Sequence, residues 1–167
     1  WAKGTANAVY TPREGDPVFV SMRSFGGEFF WQGSFANSLS TRLTISSANS
    51  IIEGEYSAPY HQPLALNLII LWDREKWDIG FRYRYSLGLP YISPIDSIYE
   101  AHTDSYAAVW ELYPSETMPN YQKYDLNITR EWRYREWHIK GYMETWYVPK
   151  SGNYLYPIYN YNYSEEQ

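Results

Sequence analysis

The segment Trp77–Ser86, WDIGFRYRYS, alternates at every step. Trp77, Ile79, Phe81, Tyr83 and Tyr85 share one parity; Asp78, Gly80, Arg82, Arg84 and Ser86 share the other. Period-two alternation puts the large apolar side chains on one face of a β-strand and both arginines on the opposite face. The ring-bearing face needs an apolar covering, and that covering is either a protein core or lipid.

Further segments repeat the pattern. Residues 28–45 place Trp31, Phe35, Leu39 and Leu43 on one parity against Gln32, Ser34, Ser38, Ser40 and Arg42. Residues 64–72 are the least polar, with Leu64, Leu66, Leu68, Ile70 and Trp72 on one side. Residues 124–132 set Tyr124, Leu126, Ile128 and Trp132 against Asp125, Asn127, Thr129 and Glu131, and residues 137–145 set Trp137, Ile139, Gly141 and Met143 against His138, Lys140, Tyr142 and Glu144. Weaker strands are expected at 5–10 and 18–24, where Pro12 and Pro17 blur the register. The expected fold is all-β and antiparallel, a single segment over residues 1–167.

Two features favour a membrane over a core. The connections are expected to alternate in size, with tight turns at 25–28, 73–76 and 133–136 and long loops at 46–63 and 87–122, the layout of a barrel with short turns at one end and external loops at the other. The polar parity carries Arg82, Arg84, Asp125, Glu131, Lys140 and Glu144, which a dry interior accommodates only in pairs and a wet lumen accepts freely. Aromatic residues make up 20% of the chain, with 19 Tyr and 8 Trp. Trp31, Trp72, Trp77, Tyr85, Tyr124, Trp132 and Trp137 lie where a transmembrane barrel has its aromatic girdles. A soluble β fold with the same rings packed inside is the competing explanation.

Little else narrows the function. The net charge is −5 and no block of Lys or Arg occurs, which argues against nucleic acid as a partner. No cysteine is present, so disulfides and thiolate ligands are excluded. His61, His102 and His138 belong to no metalloprotease-type motif, and neither a nucleophile elbow nor a phosphate-cradling glycine loop is found, so no enzyme and no cofactor is expected. Asp96, Glu100, His102 and Asp104 offer cation ligands within one loop, although solvated loop side chains account for them as well. The sequons at Asn127 and Asn162 are discounted. Arg82 and Arg84 are candidates to face a lumen or plug; an ordinary ladder of lumen charges explains them equally. Tyr91, Tyr99, Tyr106, Trp110 and Tyr113 are candidates for ligand contact in the long external loop. Residues 154–163, rich in Tyr and Asn, read as an extended segment able to pair at a sheet edge.

The order of motifs also carries a resemblance. Tyr60-His-Gln-Pro-Leu-Ala-Leu-Asn-Leu68, then the strand running from Trp77 to Tyr91 through Arg82-Tyr-Arg-Tyr-Ser-Leu-Gly-Leu-Pro-Tyr91, then Met118-Pro-Asn-Tyr-Gln-Lys-Tyr-Asp-Leu-Asn-Ile128, resemble the C-terminal barrel region of TonB-dependent outer-membrane receptors. Tyr142-Met-Glu-Thr-Trp-Tyr-Val148 departs from that pattern at Trp146, and the closing strand of such barrels is not recognised in the last residues. The resemblance implies a sector of a transmembrane barrel of about 22 strands. It further implies residence in the bacterial outer membrane and energy-coupled uptake of a bulky nutrient. The implied partners are outer-membrane lipid, the remainder of the barrel and its plug, TonB acting through the plug, and a small-molecule, sugar or peptide ligand. A soluble extracellular carbohydrate-binding module and a structural barrel subunit of a membrane complex are the alternatives.

Overall fold

A computed structural model describes residues 2–10, 18–35, 38–53, 55–102 and 104–149. The described elements are β1 (Ala2–Tyr10), β2 (Val18–Phe35), β3 (Leu39–Ile52), β4 (Tyr56–Ser57), β5 (Gln62–Arg74), β6 (Trp77–Ser86), β7 (Pro90–Tyr91), β8 (Pro94–Glu100), β9 (Ser105–Trp110), β10 (Glu116–Thr117), β11 (Tyr121–Tyr134) and β12 (Trp137–Tyr147). Seven strands form one antiparallel sheet in the order β1-β2-β3-β5-β6-β11-β12, with β4 paired to the end of β3. Two small ladders, β7 with β10 and β8 with β9, lie in the connection between β6 and β11. The expected barrel is thus present only as an open antiparallel sheet: among the described residues no pairing joins β1 to β12.

The ladder carries the sequence alternation across the whole sheet. Directly opposed residues of an antiparallel pair project from the same face. One hydrogen-bonded row reads Trp31, Leu43, Leu68, Tyr83, Tyr124 and Tyr147, and the next reads Gln32, Arg42, Ile69, Arg82, Asp125 and Trp146. The sheet therefore has one face dominated by rings and aliphatic chains and one rich in charge. Among the described residues, neither is covered by a second layer. The described residues bury only four hydrophobic side chains, Val20, Ile52, Ala58 and Ala108, whereas Phe29, Phe35, Trp137, Ile139 and Met143 are all more than half exposed.

The strands are sheared against one another. In the row through Phe35, Leu39, Trp72, Ile79, Ile128 and Met143, the β2–β3 hairpin ends at that row, β5 ends two residues beyond it and β11 six residues beyond it. Six residues at about 3.3 Å each, accumulated over four strand spacings of about 4.8 Å, correspond to a tilt on the order of 45° if the three turns lie at one level. That is the tilt of strands in closed barrels, about 35–45°.

The turns correct the expected boundaries. Two-residue connections at Glu75-Lys76 and Arg135-Glu136 fall where tight turns were expected, each with a positive φ at its first residue, 56° and 54°. Residues 28–45 are two strands and not one: the chain reverses between Phe35 and Leu39. The expected turn at 25–28 lies inside β2, where Gly26 pairs with Ala2 on one side and Ala48 on the other. Most of the expected loop 46–63 is strand, since β3 runs on to Ile52 and β5 begins at Gln62. The loop 87–122 contains β7 to β10, and β11 starts at Tyr121. The segment 154–163 lies outside the described residues.

At the end of the sheet opposite the tight turns, Val20, Ile52 and Ala58 form a small buried cluster with Ile92 and Tyr113 packed against it. Tyr113 also stacks on Tyr56 with ring centres 4.4 Å apart. The long connection is pinched at its base. Gln62 Nε2 donates to the Leu87 carbonyl at 2.7 Å, Gly88 N to Asn120 Oδ1 at 3.2 Å, and Met118 N to the Leu89 carbonyl at 2.9 Å.

Gly26 is required by close approach: a Cβ there would lie 2.4 Å from the Ser47 carbonyl oxygen. Gly26→Val is expected to destabilise the β2–β3 ladder by about 1–3 kcal/mol, the range for overpacking at a tight contact. Denaturant unfolding of the two proteins measures it, and an unchanged midpoint would contradict the register.

Candidate functional site

The charged face carries one connected group of polar side chains. Arg84 and Lys123 are register partners on β6 and β11, and both reach Asp125: Arg84 Nη2 at 3.1 Å and Lys123 Nζ at 2.9 Å. Arg82 Nε donates to Asn67 Oδ1 on β5 at 2.8 Å. Lys123 also lies 5.7 Å from the centre of the Trp146 ring. Toward the tight turns, Glu131 receives His138 at 3.1 Å and Lys140 at 3.5 Å. Beside the arginines is a shallow cleft of about 220 Å³ bordered by Thr44, Asn67, Arg82, Arg84 and Tyr121.

The two predicted arginines are therefore brought together, and their roles differ. Arg82 is exposed and donates to a neutral amide, and among the described residues no carboxylate lies within ion-pair distance of it. Arg84 is balanced by a carboxylate, and its Nε is buried without a hydrogen-bond partner. Asn67 and Lys123 are the members not singled out from the sequence. Lys123 shares the charged parity of β11, and extending that alternation one turn of the pleat towards the N-terminus would have found it.

The expected loop residues do not form one site. Tyr91 donates to Glu116 across the β7–β10 ladder. Tyr113 belongs to the stack on Tyr56. Tyr99 and Tyr106 face each other near the end of the β8–β9 hairpin with ring centres 5.3 Å apart. Trp110 borders a separate cleft of about 390 Å³ with Ile98, Glu100, Val109, Glu111 and Leu112. The four candidate cation ligands of this loop are dispersed: Asp96 caps the Ser97 amide at 2.7 Å, Asp104 accepts from Tyr99 at 2.7 Å, and His102 lies 3.8 Å from Glu100. Among the described residues no three His, Asp or Glu side chains come together as a metal site.

Arg130 is a charged residue that alternation puts among the rings. It shares the ring-bearing face, being the register partner of Trp77, and its guanidinium lies 4.5 Å from the centre of the Trp77 ring and 5.1 Å from that of Trp132. Cation–π attraction to two indoles, worth about 0.5–2 kcal/mol each, offsets the apolar surroundings.

No family model, curated protein or solved structure matches the chain. The site is accordingly read from its own geometry.

Two outcomes follow. The Arg84–Asp125 pair is about one-quarter to one-third exposed, with side-chain accessibilities of 32% and 25%. A double-mutant cycle with Arg84→Ala and Asp125→Ala should give a coupling of about 1 kcal/mol, at the upper end for partly exposed pairs. Strict additivity would show the contact to be idle. The hydrogen bond from Tyr99 to Asp104, together with partial desolvation and the neighbouring Tyr106, raises the Tyr99 phenol above its ordinary 10.0. The contact's contribution is thus fully present below the ordinary tyrosine value and lost as pH rises through the higher folded one. Ultraviolet titration should show a late-ionising component that Asp104→Asn moves to earlier ionisation; an unchanged curve in that variant would remove the contact.

Proposed function

We propose that the chain is a sector of an outer-membrane β-barrel of the TonB-dependent receptor type, with the ring-bearing face against lipid and the charged face toward a lumen or plug. One observation carries the reading: the described strands form a single sheet layer, staggered by the amount a tilted barrel wall needs, that gathers most of its large apolar side chains on one uncovered face and its charges on the other. A soluble module would need a second layer over that face. Magnitudes set the orientation. Each large apolar side chain moved from water into hydrocarbon contributes about 1.5–3 kcal/mol, whereas each Arg or Lys held at the bilayer midplane costs about 2–4 kcal/mol. The face bearing Arg82, Arg84 and Lys123 therefore belongs to water or to a plug, and the face bearing Leu68, Ile70, Phe81, Leu126 and Ile128 to lipid.

The motif resemblance supports the same assignment and adds a role. External connections capture a bulky nutrient, the charged face contacts the plug or the passing solute, and energy arrives through TonB acting on the plug. Covalent chemistry has no part in this. Trp72, Trp77, Trp132 and Trp137, at the end with the tight turns, anchor the sheet at one interface.

The chain reconstituted in phospholipid vesicles tests the reading. It should remain with the membrane through an alkaline wash and leave it only with detergent, and its tryptophan emission should be quenched by lipids brominated on their acyl chains. Release by the wash, with unquenched emission, would contradict it.

A further inference from the structure

We propose that the cleft on the β8–β9 hairpin binds the protonated amine end of a small organic ligand. The connection that carries it, residues 87–120, contains Asp96, Glu100, Asp104, Glu111 and Glu116 and neither lysine nor arginine. All 14 of the chain's lysines and arginines therefore lie elsewhere. A segment of this size spans only a few Debye lengths of about 8 Å, so its carboxylates draw cations toward the hairpin and repel anions.

The cleft supplies what a cation with a carbon skeleton needs. Its volume of about 390 Å³ falls at the small end of ligand pockets, about 300–1,000 Å³. Ile98, Val109 and Leu112 offer apolar wall, Trp110 an indole whose face attracts positive charge, and Glu100 and Glu111 the counter-charge. Glu111 Oε2 is buried and has no hydrogen-bond partner. A buried acceptor left unpaired costs about 1–3 kcal/mol, more when it is charged, and a turn of the Glu111 side chain toward the cleft brings that oxygen to one of the three donors of an ammonium. The Glu111 amide donates to the Ser93 carbonyl at 3.3 Å and the β8–β9 ladder runs up to Trp110, so this wall is held by backbone on both sides. Among the described residues no three carboxylate or imidazole groups converge, which favours an organic cation over a bare metal ion.

The inference names the ligand class for the capture step and rests on the receptor reading for its role in uptake; the binding itself does not depend on the membrane. Calorimetry on the whole chain, in detergent or without it according to its solubility, compares phenethylamine, phenethyl alcohol and phenylacetate, which share a ring and differ in charge. The amine should bind at least tenfold more tightly than the alcohol and the acid, and more weakly as salt is added. Glu111→Gln should weaken the amine about tenfold and leave the alcohol unchanged, Glu100→Gln should weaken it less, and Glu116→Gln, outside the cleft, should leave it as it was. Far-ultraviolet circular dichroism identifies a variant that has lost its sheet, in which case the Glu100 and Glu116 pair decides. Equal affinity for amine and alcohol, no amine binding, or indifference to both cleft glutamates would overturn the proposal. A chain that proves soluble without detergent would sink the receptor reading and leave these outcomes as they stand.

Discussion

An apolar face of a sheet must be covered, and among the described residues no second layer of this chain covers it. Four small or medium hydrophobic side chains are buried among the described residues, while Phe29 and Phe35 of β2, Trp77 of β6, Trp132 of β11 and Trp137, Ile139 and Met143 of β12 stand open on the ring-bearing face. Hydrophobic burial is the dominant favourable term in folding, so a sheet built in this way acquires its stability from whatever lies against that face. The other properties follow from that requirement. The charged face lies opposite, the strands are staggered, and the chain invests its few buried contacts in fixing the long connection at one end.

Much of this architecture is legible because a β-ladder transmits parity. Once Tyr83 and Leu68 are opposed, the rows are assigned as far as the register shift between Ser46 and Ala48 on β3, and the faces read from single strands agree across them. The same property concealed the first hairpin. Three residues separate Phe35 from Leu39, an odd number, so the alternation of Trp31, Phe35, Leu39 and Leu43 passes through the reversal without a break in phase. Gly26-Gly27 misled for the opposite reason: paired glycines commonly mark a turn, but here one allows a neighbouring carbonyl to come close. Residues 46–50, Ser-Ser-Ala-Asn-Ser, lack contrast between their faces, so the continuation of β3 leaves no periodic trace.

The candidate residues differ in how far the sequence places them, and the reason is again physical. Arg82 and Arg84 fall on one face because regular strand geometry fixes which way each points. Nothing comparable orders the long connection, where Tyr91, Tyr99, Tyr106, Trp110 and Tyr113 are parted by which short ladder or stack each one joins. Arg130 follows the ladder's parity and still breaks the division between faces, because two indoles at the turn end receive its charge.

The central claim concerns the two faces, and β12 tests it most directly. At the edge of the described sheet it is exposed on both sides, apart from Gly141, so a difference between alternate positions reports on what lies against its two faces. The chain has no cysteine, and single cysteines can therefore be placed at Ile139, Lys140, Tyr142, Met143, Glu144 and Thr145 and exposed, in lipid vesicles, to a membrane-impermeant maleimide. Rapid labelling at 140, 142 and 144 with protection at 139, 143 and 145 is the predicted pattern. Uniform labelling, or protection of the charged parity, would contradict it.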